Sequence, residues 1–269
     1  YTIKQILDKK NRRDLLLSVS RQKIKIWNFN NMKCITEINP KYNDEYKRSF
    51  ISYLNNNEIY IIEYFSDFPI LVYNIEGKTI KEIKNNEIIN AMEAFYDTNS
   101  SKSYIVLNNV GYLKSYDYDN NKEYVYYFYD GYDEFFSLRI NIKQNETQLI
   151  GIGHFYPLII IWNFHTGDKL YDIYLKANLK SPFDKMSITN PFVWDEQHLC
   201  FGFRNHFGKR CGVYSLKLLN LNNLNICDNL INYKERGFSY IGKIKHPIYG
   251  DCLITELFLD NIGLWTKKE

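Results

Sequence analysis

Five histidines, His154, His165, His198, His206 and His246, are the first candidates for metal ligation or proton transfer. None stands at HxxxH spacing from another, whereas a zinc site needs three or four convergent ligands. Carboxylates are plentiful, as in "YDGYDEFF" at 129–136, but no pair is set apart for general acid–base work. "GIGHFY" at 151–156 begins like a dinucleotide-binding loop. Its third glycine is missing and no helical periodicity follows, and the fingerprint needs a strand–turn–helix context. Small residues in a packed strand are the simpler account. GxSxG, P-loop and HExxH motifs are absent. Cys34, Cys200, Cys211, Cys227 and Cys252 are odd in number and form no CxxC pair, so neither a zinc ribbon nor a thioredoxin-type site is signalled. The expectation is a chain without catalytic residues, metal or cofactor, in a reducing, intracellular compartment, cytoplasmic or nuclear.

Those residues belong to a chain of 269 residues with a net charge of only +3. A nucleic-acid binder usually carries a basic stripe. The densest basic run here, Lys9-Lys10-Asn11-Arg12-Arg13, reads as a solvated loop. No apolar run approaches the ~20 residues of a membrane span. The sequence opens at Tyr1 without a signal-peptide pattern, and the expectation is a piece of a longer chain. Aromatic residues make up 17%, with 24 tyrosines, a bias towards pleated, half-buried surfaces.

The chain repeats itself. "IKIWN", "ILVYN", "YLKSYD", "IIIWN", "CGVYS" and "NIGLWT" are apolar runs that end in Trp27, Tyr73, Tyr116, Trp162, Tyr214 and Trp265. They recur about every 45 to 50 residues, the spacing of a repeat architecture. Before each marker lies an apolar or alternating run such as "DLLLSVS" or "EIYIIEYF". After it come a polar turn, such as "NFNN" or "HTGD", and another alternating run. Period-two alternation between Asn, Asp and Gly turns predicts a strand meander, and four strands per unit predict a propeller blade. The units run about 1–45, 46–88, 89–128, 129–176, 177–233 and 234–269.

On these residues the sequence resembles the WD40-repeat family along essentially its whole length. The marker aromatics match the Trp that ends the third strand of a WD40 blade. Asn28, Asn74, Asp117 and Asn163 match the residue after it, and Asp67 and Asp260 hold the place of the turn Asp. The Gly-His pair that usually precedes a first strand is missing: Gly131-Tyr132 is the nearest stand-in, and Gly153-His154 falls in a second strand. The resemblance implies an all-β, WD40-like β-propeller with degenerate repeats. The predicted strands make five full blades and three strands of a sixth, part of a ring whose commonest count is seven.

The resemblance also implies a binding face formed by the loops between second and third strands. Phe68, Phe155, Tyr156, Arg204, His206 and Phe207 stand in or beside those loops and have the composition of interface anchors. The expected role is a non-catalytic scaffold or adaptor that binds proteins or peptides within a multiprotein complex. The alternatives are a phosphoinositide-binding propeller and a purely structural subunit. The first of these needs an FRRG-type motif, which Arg12-Arg13 and "FRNHFG" do not supply.

Overall fold

The structure, a computed structural model, describes residues 2–20, 23–39, 48–54, 58–64, 68–109, 112–129, 135–153, 158–174, 186–205, 212–232, 241–246, 250–257 and 261–266. Among them every helix or strand is a strand. Alternation in the sequence becomes alternation in burial: Leu15, Leu17 and Val19 turn inward on one strand, with half-buried residues between them. Burying each such side chain contributes roughly 1.5–3 kcal/mol.

The first sheet is β1 (Thr2–Asp8), β2 (Arg13–Val19), β3 (Ile24–Asn28) and β4 (Lys33–Ile38). The second is β5 (Arg48–Leu54), β6 (Glu58–Tyr64), β7 (Ile70–Asn74) and β8 (Thr79–Ile83). The third is β9 (Ile89–Asp97), β10 (Lys102–Asn109), β11 (Tyr112–Asp117) and β12 (Lys122–Tyr127). The fourth is β13 (Phe135–Lys143), β14 (Glu146–Gly153), β15 (Leu158–Asn163) and β16 (Lys169–Tyr174). The fifth is β17 (Met186–Asp195), β18 (His198–Asn205), β19 (Gly212–Asn220) and β20 (Ile226–Asn232). The last has three strands among the described residues, β21 (Ile241–His246), β22 (Gly250–Leu257) and β23 (Asn261–Thr266).

All six are antiparallel meanders in sequence order. The chain forms two compact units, Tyr1–Tyr126 and Tyr127–Glu269. In the first unit the leading strand β5 touches both β1 and β9, and in the second β17 touches both β13 and β21. Leading strands side by side, with sheets stacked face to face, are the arrangement of propeller blades. No sheet can bury both faces alone, so the cores lie between sheets. Leu15, Leu17, Ile24 and Ile26 pack against Ile61, Leu71 and Tyr73 of the second sheet. Ile62, Ile70 and Val72 pack against Met92, Ile105 and Leu107 of the third. In the second unit Ile150, Ile159 and Ile161 meet Leu199, Phe201 and Leu219.

The turn from third to fourth strand has one design. The side-chain oxygen of Asn28 accepts from the Asn30 amide, and that of Asn74 from Lys78. Asp117 accepts from Asp119 and Asn120, Asn163 from His165 and Thr166, and Asn220 from Asn222 and Asn223. Those at Asn28, Asp117, Asn163 and Asn220 are Asx turns, while Asn74 reaches further, to Lys78; in each the side-chain oxygen is the reason Asn or Asp follows the third strand. Each turn then places a residue in the left-handed region: Met32, Gly77, Asn121, Gly167 or Leu224.

Three of the fourth strands, β4, β8 and β16, share a second device. Ile26 pairs with Thr36 but Trp27 with Cys34, which leaves Ile35 as an extra residue. Ile80 and Leu170 are the extra residues in β8 and β16 in the same way. A bulge opposite the marker bends the outer strand, and a bent edge resists pairing with another chain.

Candidate functional site

In a meander, first and third strands begin at the end where second and fourth strands finish. The loops between second and third strands and the links between sheets all leave from that end, here termed the loop end. In the first unit Phe68, just before β7, and Ile88, just before β9, are exposed there. Of the residues expected to form a binding face, only Phe68 has a described side chain. Phe155, Tyr156, His206 and Phe207 lie outside the described residues, as do Asp67, Gly131-Tyr132, His154 and Asp260. Arg204 lies within β18, paired with Ser187 and Val213, because that strand runs on to Asn205.

Trp27, Tyr73, Tyr116, Trp162 and Trp265 each stand one residue before the end of a third strand. They face Leu16, Ile61, Ile105, Leu149 and Leu253 of the second strand. Tyr214 is placed differently, as the third residue of the nine-residue β19. The corresponding position there is Leu219, paired with Leu199 and followed by the turn residue Asn220. The extra length of β19 moves the aromatic residue away from the turn.

A polar cluster that the motifs did not reveal starts at the loop end of the third sheet. Lys114 of β11 faces inward between Tyr112 and Tyr116, and its side chain is 6% exposed. Its ammonium lies 5.3 and 5.2 Å from those two ring centroids. It is 3.2 Å from Glu87 Oε2 and 3.5 Å from Glu123 Oε1. Burial alone pulls the Lys114 ammonium down. Hydrogen bonding to Tyr116 and Glu87, with the charge beside it, outweighs burial and holds it above the ordinary lysine value. The lysine stays charged, and it cannot serve as a proton acceptor near neutrality.

The surrounding groups are tied together. Asn109 Nδ2 donates to Glu87 Oε2 and, at 3.1 Å, to Tyr112 Oη. Tyr112 Oη also donates to Glu87. Tyr126 Oη donates to Glu123 Oε2 at 2.6 Å, and Tyr116 Oη to Glu123 Oε1 at 3.4 Å. The Tyr126 bond holds the Glu123 carboxyl below the usual carboxylate range. The Tyr112 and Tyr126 rings lie 6.2 Å apart, and Tyr126 is exposed.

Beside this cluster a cavity of about 20 Å³ opens between the second and third sheets, lined by Ile70, Ile83, Lys84, Asn85, Ile105 and Tyr116 among others. That volume suits a water molecule, not an organic cofactor. Among the described residues no group of three or more His, Cys, Asp or Glu is placed to hold a metal ion. Burial pushes the Cys200 thiol up to about 12, so it is not a thiolate at neutral pH. Among the described residues no helix is long and apolar enough to cross a membrane.

Packing within the fourth sheet explains the glycine at 151. Gly151 lies under the Trp162 ring, and a Cβ there would come within 2.8 Å of it. Gly151 is a packing requirement. No protein-family model matches the sequence, and no curated protein matches it.

Proposed function

We propose that this chain is a WD40-like β-propeller acting as a non-catalytic scaffold inside the cell, which holds protein partners in a multiprotein complex through its loop end. The six sheets are taken as blades of a ring of the usual seven. Nucleic acid is not the expected partner. The observation that carries the reading is the exposure of Phe68 and Ile88 at the loop end of the first unit, beside the Lys114 cluster. Aromatic and aliphatic side chains held by stacked sheets make effective anchors, since little ordering entropy opposes their burial.

The test is quantitative affinity capture with the purified chain and with Phe68→Ala/Ile88→Ala, followed by thermal melting. The expected result is a defined partner set lost in the double variant, with the melting temperature nearly unchanged. Loss of fold without a selective loss of partners would assign these side chains to packing.

A further inference from the structure

The Lys114 cluster carries more charge than it neutralises. Glu87 and Glu123 each bring one negative charge, Lys114 brings one positive charge, and the local balance is negative. Both carboxylates reach water, with side-chain exposures of 42% and 50%, while the ammonium between them does not. The exposed Tyr126 and half-buried Tyr112 lie beside the carboxylates. Asn109 Oδ1 adds a second, independent sign. It is buried in a residue only 2% exposed, and it has no hydrogen-bond donor. The amide orientation is fixed by Nδ2, which donates to Glu87, so Oδ1 cannot be satisfied by a flip. A buried acceptor left unmade is a cost that an incoming donor relieves.

A net negative surface, two tyrosine rings and a vacant acceptor define one kind of visitor. We infer that the Tyr112–Tyr126 pair at the edge of the third sheet docks a basic side chain, Lys or Arg, of a protein partner. The guanidinium or ammonium stacks on the rings, pairs with Glu87 and Glu123, and offers an N–H towards Asn109. Lys114 already makes this set of contacts from within, with two rings and two carboxylates around one ammonium. Arginine fits better than lysine, because its planar fork stacks and donates at the same time. Lys84, exposed and lining the adjoining cavity, is the cation that opposes the visitor.

This inference deepens the scaffold reading and rests on it for the partner's being a protein, but its test does not need that partner. The full chain, labelled on tyrosine rings, is titrated by NMR with the capped peptide Ac-Gly-Arg-Gly-Arg-Gly-NH2 and with its glutamate counterpart. The expected result is a shift of the Tyr112 and Tyr126 ring signals by the arginine peptide alone. Tyr126→Ala and Glu123→Gln should each weaken binding about fivefold, and Lys84→Ala should strengthen it about twofold. Tyr126 is exposed, so its replacement keeps the test readable even if changes at Glu87 disturb folding. Equal response to both peptides, or no ring shift with arginine, overturns the inference and leaves the Phe68/Ile88 test standing. A dimer in sedimentation that Tyr126→Ala breaks also overturns it, because the surface would then belong to a second copy.

Discussion

Trp27 and Trp162 sit in nearly the same words, "IKIWNFNN" and "IIIWNFHT", and in the same backbone. Each faces a leucine of the second strand, and each is followed by an Asx turn. The Phe29 amide donates to the Asp14 carbonyl at 2.8 Å, and the Phe164 amide to that of Thr147 at 2.8 Å. The side chains nevertheless differ. Trp162 is fully buried, with Phe135 edge-on at 5.5 Å and its Nε1 donating to the Phe128 carbonyl. Trp27 is half-buried, with Lys25 over its ring and its Nε1 donating to Ser18 Oγ at 2.8 Å.

The difference traces to the residue two places beyond the paired leucine: Gly151 in the fourth sheet and Ser18 in the first. Glycine lets the indole lie on bare backbone, while serine meets the indole with a hydroxyl. In the second sheet Glu63 stands two places beyond Ile61 and accepts from Tyr73 Oη at 2.8 Å, and there the ring is buried together with its polar partner. The repeat sets where the aromatic residue stands. The residue beneath it sets what the ring meets: bare backbone at Gly151, a hydroxyl at Ser18 and a carboxylate at Glu63.

The largest effect that would break this comparison is a pair of truncations. Trp162→Ala should cost about 3–5 kcal/mol, and Trp27→Ala about 1–2 kcal/mol. Denaturant midpoints of the two variants check it, and equal losses would show that burial does not separate the two sites. The exchange Gly151→Ser sharpens it, because the new side chain meets the Trp162 ring and should cost about 1–3 kcal/mol by overpacking.

The meander was legible because alternation and Asx turns are local. The fifth repeat shows the limit. Reading aromatic residues as markers selects Tyr214, whereas the geometry is kept by "Leu219-Asn220-Leu221", with the Leu221 amide donating to the Gln197 carbonyl. The turn residue is the more faithful signal, since its hydrogen bonds require Asn or Asp, while a buried side chain need only be large and apolar. The Lys114 cluster was hidden for a different reason. A lysine in an alternating strand reads as solvent-facing, and its inward direction follows from Glu87, which lies 27 residues away in sequence. The spacing Tyr112-Lys114-Tyr116 on one strand face was the available hint.

A smaller effect separates the turns. Met32 holds a φ of 55° where Gly77 and Gly167 hold 83° and 78°. An L-residue in the left-handed region costs about 1–2 kcal/mol, offset in part by the greater chain entropy of an unfolded glycine. Met32→Gly should therefore stabilise the chain by about 0.5–1 kcal/mol in urea titration. Gly167→Ala should destabilise it by about 1 kcal/mol, and a loss in both would mean that side-chain contacts outweigh backbone strain.

The smallest expected effect concerns the one charged member of the turn series. Asp117 does what Asn28, Asn74, Asn163 and Asn220 do, but it can be protonated. Burial would raise its pKa. The backbone and side-chain hydrogen bonds from Asn120 and the charge of Lys102, 3.5 Å away, outweigh burial and hold the carboxyl below the usual carboxylate range. A folded pKa depressed in this way contributes stability above the unfolded-state value and loses it as pH falls through the folded-state value. Asp117→Asn keeps the acceptor for the turn amides and gives up the Lys102 pair. The variant should be slightly less stable than the parent near neutral pH, and the two should converge as acid protonates Asp117. Asp8, Glu123 and Asp195 are also held low, so both proteins still weaken in acid. The informative quantity is the difference between their urea midpoints, followed from neutrality down to about pH 2. A gap that stays constant would place the Asp117 contribution in turn geometry, as in its four asparagine counterparts, and a closing gap would place it in charge.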